Sequence, residues 1–252
     1  MTRRLRGLLA LPLALALTSA CSGSSPGHVE PTLTVLAASS LDGVLDPLSA
    51  TLRARYPQLT IRLVYAGTPS LVGPVRSGAP ADVLVTASTA ALDPLLAKGL
   101  VQDPTAVATN HVVLVVPAGN PGHVTSAADL ARARLRVALC DPSVPCGQAA
   151  ERTLAAAHVR ADPDTLAPDV KTVLRLVTTG EADAGIVYAT DARAAGRRVQ
   201  VVALPAGTAA STSYAAAVVT STYRADLARE YVALLAGAQG QQALRAAGFG
   251  PP

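Results

Sequence analysis

The chain has 252 residues, of which 50% are hydrophobic and 15% are charged, with 21 Lys and Arg against 17 Asp and Glu. This length allows one large domain or two smaller ones with a sizeable core, and the composition excludes a disordered chain. With no Trp and one Phe, the chain has few stacking surfaces for single-stranded nucleic acid. Three arginines in the first six residues supply most of the excess positive charge, so no nucleic-acid-binding surface is predicted for the rest.

The first 30 residues have the pattern of an export signal followed by a tether. The basic start precedes an apolar run over residues 8–17, which is too short to span a bilayer. The sequence Leu-Thr-Ser-Ala-Cys at 17–21 resembles a bacterial lipobox. We therefore predict a lipoprotein signal peptide at 1–20, lipidation of Cys21 and a flexible tether at 21–30 that holds a folded domain at the outer face of the cell membrane. The alternative is an ordinary signal peptide with an unmodified cysteine.

Strand and helix patterns alternate in the first part of the chain after the tether. Apolar runs typical of buried strands occur at 33–37, 59–65 and 82–85. Helical spacing of apolar residues follows each run, over 41–52, around Leu71 and Val75, and over 88–98 before Gly99. This βαβαβα order predicts a parallel sheet with helices on both faces.

A second α/β series follows. The predicted strands are 111–116, 135–139, 184–187, 199–204 and 214–219. The predicted helices are 147–158, 170–179 and two further stretches that contain Leu235 and Leu244. Two α/β series in one chain predict two lobes. Because open α/β sheets bind ligands at the carboxyl ends of their strands, beside helix N-termini, we expect a cleft for a small ligand between the lobes.

Cys140 and Cys146 are the two cysteines that follow the export signal. Export permits a disulfide between them, and this is the interpretation that we favour. Free thiols are one alternative. A catalytic Cys146 with His158 as its base is another, as is a metal site, although a Cys-x5-Cys spacing without neighbouring ligands is weak evidence for a metal.

Short motifs over residues 33–249 resemble, in order and spacing, those of the molybdate-binding components of bacterial ABC transporters. They are Ala-Ala-Ser-Ser-Leu at 37–41, Tyr-Ala-Gly-Thr-Pro-Ser-Leu at 65–71, Gly-Ala-Pro-Ala-Asp at 78–82, Asp-Pro-Ser-Val-Pro-Cys-Gly at 141–147, Asp169-Val170, Gly-Ile-Val-Tyr-Ala-Thr-Asp-Ala at 185–192 and Gly248-Phe249. One such motif alone is only suggestive, whereas the ordered set is specific.

This resemblance implies a two-lobed α/β fold of the type II periplasmic-binding-protein class, with an oxyanion held in the cleft between two hinged lobes. Lobe 1 would comprise 31–110 plus 213–252, and lobe 2 would comprise 111–212. The two crossovers between the lobes would lie near 110–117 and 206–215.

The resemblance also implies a binding site made of neutral donors. Ser40 and Thr68 would donate hydroxyl and backbone N–H groups, Cys146 and Val170 backbone N–H groups, and Tyr188 its phenol hydroxyl. Neutral dipoles and helix N-termini hold a dianion without a counter-cation, so no cation site and no cofactor is expected, and molybdenum would be bound as molybdate. Taken singly, Ser40 and Thr68 have the alternative role of helix N-caps, and Tyr188 that of a packing residue.

Two prolines depart from the family's pattern. Pro69 removes a possible N–H donor from the second loop, where the family usually has consecutive serines. Pro47 lies inside the predicted first helix, and Asp46 could cap a helix that begins at Pro47. The helix dipole would then lie away from Ser40, which would bind from a turn.

The expected function is that of an extracytoplasmic solute-binding lipoprotein, monomeric and without enzymatic activity, which captures molybdate or tungstate and delivers it to an ABC transporter permease. The alternatives are a carrier of sulfate or phosphate, a ligand sensor of the same fold, and an exported thiol hydrolase that uses Cys146 and His158. Asp141 and Asp169 lie beside donor positions, where a carboxylate would accept the proton of phosphate, but we interpret both as loop caps.

Overall fold

The computed structural model describes residues 31–252, which form a mixed α/β structure. The strands are β1 (Thr32–Ala38), β2 (Thr60–Ala66), β3 (Val83–Thr86), β4 (Val101–Pro117), β5 (Val137–Cys140), β6 (Thr165–Ala167), β7 (Ala184–Tyr188), β8 (Val199–Val202) and β9 (Ser211–Val219). The α-helices are α1 (Asp46–Arg55), α2 (Thr68–Arg76), α3 (Asp93–Leu96), α4 (Pro145–Ala156), α5 (Val170–Thr178), α6 (Ala189–Ala195), α7 (Ala225–Ala236) and α8 (Ala238–Ala247). The lipoprotein signal, the Cys21 lipidation site and the tether lie outside the described residues.

The strands form one sheet in the order β2-β1-β3-β9-β4-β7-β5-β6, and β8 also pairs with β4. β1 runs parallel to β2 and β3, and β5 runs parallel to β6 and β7. These two parallel groups confirm the pattern of two α/β series. We call the part built on β1–β3 the first half and the part built on β5–β8 the second half.

Two long antiparallel strands, β4 and β9, join the halves. β4 pairs with β9 from Val101 to His111 and then with β7 and β8 from Val112 to Pro117. β9 pairs in turn with β3 through Ala215–Val218. Both strands therefore pass from one half to the other. The exact lobe boundaries remain a prediction.

The buried apolar side chains divide in the same way. One cluster is made of second-half residues between Val112 and Val199. Two others cover the opposite faces of the first-half sheet, one beneath α1, α7 and α8 and the other beneath α2 and α3. Each half thus has its own core, made mainly of Val, Leu and Ala. In residues 31–252, no helix is long and apolar enough to cross a membrane.

Three predicted elements need correction, and one strand was not predicted. β4 begins at Val101, whereas the sequence predicted a strand only at 111–116. The first part was missed because two register shifts and the left-handed backbone of Asp103 interrupt its regular pattern. The helix predicted over 41–52 is a 3-10 turn at Ser39–Leu41 followed by α1, which begins at Asp46 with Pro47 in its first turn. The helix predicted over 88–98 is a 3-10 turn followed by the short α3, and β6 was not predicted.

Candidate functional site

A small cavity of about 20 Å³ lies where the two halves meet. The first half contributes Ala38, Ser39, Ser40, Ala66, Gly67 and Ala87, and the second half contributes Val144, Pro145, Cys146, Asp169, Val170 and Tyr188. The two sides are in direct contact. Gly67 lies so close to the carbonyl oxygen of Pro168 that a Cβ atom added to Gly67 would overlap it. A cavity of this size holds at least one water-sized group and suits a small ligand.

Helix N-termini converge on this cavity. Gly67, Val144 and Asp169, the residues that immediately precede α2, α4 and α5, all line it. The starts of α4 and α5 lie together because they follow the parallel strands β5 and β6, whose carboxyl ends share one edge. The start of α2 belongs to the first half and meets them where Gly67 contacts Pro168. The first N–H groups of a helix have no partner within the helix, and neither Gly67 nor Val144 caps them with a side chain. The cavity is therefore a place where backbone N–H groups and helix dipoles favour an anion.

Ser40 lines the cavity from the 3-10 turn that follows β1. Its side chain is buried, and its Oγ lies 2.7 Å from the Oη of Tyr214. α1 begins at Asp46, so Ser40 does not cap it. This agrees with the alternative, raised by Pro47, that Ser40 binds from a turn. The partner of Ser40, Tyr214, is 174 residues away in sequence and was not predicted as part of the site.

Thr68 is the one predicted site residue that does not line the cavity; Gly67 lines it at this point. Thr68 is buried, and its Oγ1 accepts a 3.3 Å hydrogen bond from the backbone N–H of Ala87. Thr68 is the first residue of α2 and Gly67 precedes it, so Thr68 is not the N-cap of this helix. The role of the Thr68 hydroxyl as a ligand donor stays a prediction.

Cys146 lines the cavity as the second residue of α4 and forms a disulfide with Cys140, the last residue of β5. The two Cα atoms are 5.7 Å apart. The bridge closes the loop that contains Asp141, whose Oδ1 accepts hydrogen bonds from the N–H and the hydroxyl of Ser143. These bonds lower the pKa of Asp141 and confirm it as a loop cap.

Val170 lines the cavity as the first residue of α5. The preceding Asp169 caps this helix, because its Oδ1 accepts a 2.9 Å hydrogen bond from the N–H of Thr172. Its predicted role as a cap is thus confirmed. Asp169 is the only acidic residue in the described lining, and no Lys or Arg is among these lining residues. An anion in this cavity would be held by neutral groups.

Tyr188 presents an unpartnered hydroxyl. It ends β7, immediately precedes α6, and lines the cavity while only 2% of its surface is exposed. Its Oη has no partner within hydrogen-bond distance among residues 31–252. Burial raises the pKa of Tyr188 to about 12, although the hydroxyls of Thr212 and Tyr214 lie close enough to act in the opposite direction, so the phenol is protonated at neutral pH and able to donate. A buried hydroxyl without a partner carries a free-energy cost that an anionic acceptor in the cavity would remove.

A partly buried ion pair lies beside the cavity. Lys171 follows Val170 in α5, and its Nζ lies 3.0 Å from the Oδ1 of Asp191, whose side chain is fully buried. Burial raises the pKa of Asp191 to about 6, although Lys171 acts in the opposite direction. The positive charge of Lys171 is therefore balanced by Asp191. This pairing agrees with a site built from neutral donors.

The raised pKa of Asp191 predicts a pH-dependent stability. Between the ordinary aspartate pKa of 3.8 and about 6, the folded protein binds more protons at Asp191 than the unfolded chain does. The contribution of Asp191 to the free energy of unfolding therefore decreases as the pH rises through this range. We expect Asp191→Asn to remove that decrease, measured by urea unfolding of both proteins at several pH values. A difference between the two proteins that is constant from pH 4 to 6.5 would contradict this.

Known proteins similar to this chain show the family to which it belongs. Residues 33–250 match the family model of the bacterial extracellular solute-binding proteins. The chain belongs to this family. It is 37% identical over 254 residues to the molybdate-binding protein ModA of Mycobacterium tuberculosis, with 98% of this chain and 97% of that protein covered. It is 30% identical over 230 residues to the ModA of Haemophilus influenzae, with 86% and 89% covered.

Solved structures in the same fold class resemble the chain as well. The periplasmic molybdate-binding protein of Azotobacter vinelandii matches with a TM-score of 0.71 at 20% identity, covering 87% of this chain and 99% of that one. The sulfate-binding protein SubI of Mycobacterium tuberculosis matches with a TM-score of 0.73 at 19% identity, covering 88% and 87%. The predicted family resemblance and the predicted fold class are thereby confirmed.

Proposed function

We propose that this extracellular solute-binding protein captures a tetrahedral oxyanion, molybdate or tungstate, in the cavity between its halves. The observation that carries the proposal is the unpartnered hydroxyl of Tyr188, which meets the N-termini of three α-helices in a cavity without a lining cation. Preorganised neutral donors suit a dianion that must later be released. The ModA relatives, whose names state that they bind molybdate, support this choice of ligand.

The proposed donors come from both halves of the protein. The first half would supply the hydroxyl of Ser40 and N–H groups at the start of α2, including that of Thr68. The second half would supply the N–H groups of Cys146 and Val170 and the phenol of Tyr188. Each bond to the charged oxyanion is worth about 1.5–3 kcal/mol. Several such bonds together account for tight binding without an ion pair.

Capture requires the halves to move. The two sides of the cavity touch where Gly67 meets Pro168, so we expect a ligand to enter when the halves separate. We propose that lobe 1 (31–110 plus 213–252) and lobe 2 (111–212) rotate about β4 and β9, the two strands that join them. The closed form with its ligand would then dock on the permease of an ABC transporter.

The other expected properties follow from the same proposal. The protein would act as a monomer, without a cofactor and without catalysis, anchored to the outer face of the membrane through a lipidated Cys21. A thiol hydrolase needs a free thiolate, and the sulfur of Cys146 is bonded to Cys140. A ligand sensor of the same fold would have the same site, and it would differ in reporting to a partner instead of a permease.

The proposal is tested by thermal unfolding of the purified protein with molybdate, tungstate, sulfate or phosphate added separately. A ligand at a hundred times its dissociation constant adds about 2.7 kcal/mol, which corresponds to a rise in Tm of roughly 5–10 °C. We expect this rise with molybdate and tungstate. A rise with sulfate or phosphate alone would replace the proposed ligand by one of the alternatives, and no rise with any of the four would contradict oxyanion binding.

A further inference from the structure

The hydroxyl of Ser40 is not isolated, since it shares a buried hydrogen bond with Tyr214. The two oxygen atoms, Ser40 Oγ and Tyr214 Oη, are 2.7 Å apart. Tyr214 is fully buried in β9, one of the two strands that join the halves. It does not line the cavity, and Ser40 is the lining residue with which its hydroxyl forms a hydrogen bond.

The effect of this hydrogen bond on a ligand depends on which of the two hydroxyls donates its proton. Each hydroxyl has one proton to donate, so Ser40 donates either to Tyr214 or to a ligand, but not to both. If Tyr214 donates to Ser40 Oγ, the Ser40 proton is left for the oxyanion. Burial raises the pKa of Tyr214 well above its usual value, so its phenol keeps the proton that this arrangement needs.

Packing holds Tyr214 in the position that this role requires. Its ring meets Phe249 edge to face at a centroid distance of 5.3 Å, and it meets the ring of Tyr188 at 6.2 Å. Tyr214 therefore contacts one proposed donor from each half, Ser40 by a hydrogen bond and Tyr188 by its ring. A rigid phenol between them fixes the direction of the Ser40 hydroxyl before the ligand arrives.

We propose that Tyr214 is a positioning residue of the oxyanion site, which donates to Ser40 Oγ and so directs the Ser40 proton at the ligand. This inference rests on the proposed function. Hydrogen bonds in such a chain polarise one another, so loss of the Tyr214 hydroxyl weakens the donor strength of Ser40 as well as its orientation.

The test is a double-mutant cycle with molybdate affinity measured by calorimetry. Tyr214→Phe keeps the ring and removes the hydroxyl, and we expect affinity to fall about 3–10-fold. In the background of Ser40→Ala, the same change should have no further effect, because Tyr214 would act only through Ser40. Unchanged affinity in Tyr214→Phe, or effects of the two variants that simply multiply, would overturn the proposal.

A matched control lies in the same half of the protein. Tyr231 is also a buried tyrosine, and its Oη lies 3.3 Å from the Oγ of a buried serine, Ser49, away from the cavity. Tyr231→Phe should leave molybdate affinity unchanged. If it lowers affinity as much as Tyr214→Phe does, the effect is one of general stability and the positioning role is wrong.

The stability of the unliganded variants gives a second readout. Ser40→Ala leaves the Tyr214 hydroxyl buried without its partner, so adding Tyr214→Phe should recover part of the lost stability. A double variant less stable than Ser40→Ala would contradict the shared bond. Failure of the wild-type protein to bind molybdate, tungstate, sulfate or phosphate would overturn the proposed function and this role with it, whereas equal binding by wild type and Tyr214→Phe overturns this role alone.

Discussion

Tyr188→Phe is expected to weaken molybdate binding by about 10- to 100-fold without destabilising the unliganded protein. The variant loses one hydrogen bond to a charged acceptor, which is worth about 1.5–3 kcal/mol. The unliganded protein loses no hydrogen bond, because the Oη of Tyr188 has no partner among residues 31–252. The phenylalanine ring keeps the edge-on contact with Tyr214. Affinity is measured by calorimetry and stability by urea unfolding.

Tyr65 provides the control for this experiment. It also has a buried hydroxyl without a partner in the described part of the chain, but it does not line the cavity. Tyr65→Phe should therefore leave both affinity and stability close to those of the wild type. If Tyr188→Phe also leaves affinity unchanged, Tyr188 is a packing residue and does not touch the ligand. If it destabilises the unliganded protein by several kcal/mol, its hydroxyl has a structural role.

Gly147→Ala is expected to lower the free energy of unfolding by about 3 kcal/mol or more and to abolish binding. Gly147 is the third residue of α4, directly after Cys146. A Cβ atom there would overlap the carbonyl oxygen of Asp141 and lie 2.8 Å from that of Cys140. This loop cannot move away easily, because the Cys140–Cys146 disulfide closes it. Displacing the loop would also displace the N–H group of Cys146 from the cavity.

The matched substitution is Gly73→Ala in α2. Gly73 is exposed, and no atom lies within 4 Å of a Cβ added there. The change in unfolding free energy should be less than about 1 kcal/mol, with molybdate affinity retained. Both variants are compared with the wild type by urea unfolding. A Gly147→Ala protein that unfolds at the wild-type urea concentration would show that the loop accommodates a side chain.

The regular parts of the fold were predictable because local patterns determine them. Continuous apolar runs such as that at Ala184–Tyr188 are long enough to show a buried strand, and Asp169 followed by helical spacing predicted the start of α5 at Val170. Pro47 pointed to the alternative of a late start for α1, which is what the structure has, since proline fits the first turn of a helix. The first part of β4 was missed, because register shifts break the alternation on which the prediction depends.

The structure brings most of the predicted donor residues together. Ser40, Cys146, Val170 and Tyr188 lie in different loops, yet all four line one cavity. Motif resemblance placed them, since each residue alone has a common structural role. Gly67 was missed because the motif drew attention to the hydroxyl of Thr68, whereas the structure turns that hydroxyl to the N–H of Ala87. The direction of a side chain at a helix start depends on its neighbours in space, which the motif does not contain.

The sequence by itself determined the two α/β series, the start of α5 after Asp169, and a cysteine pair suited to a disulfide. These features depend on residues close together in the chain. Only the tertiary structure decided that the helix N-termini meet in one cavity, that Tyr188 lacks a partner there, and that Tyr214 reaches Ser40 across 174 residues. The reason is physical: such contacts arise when the sheet brings distant strands side by side, and no local periodicity records which side chains then face each other.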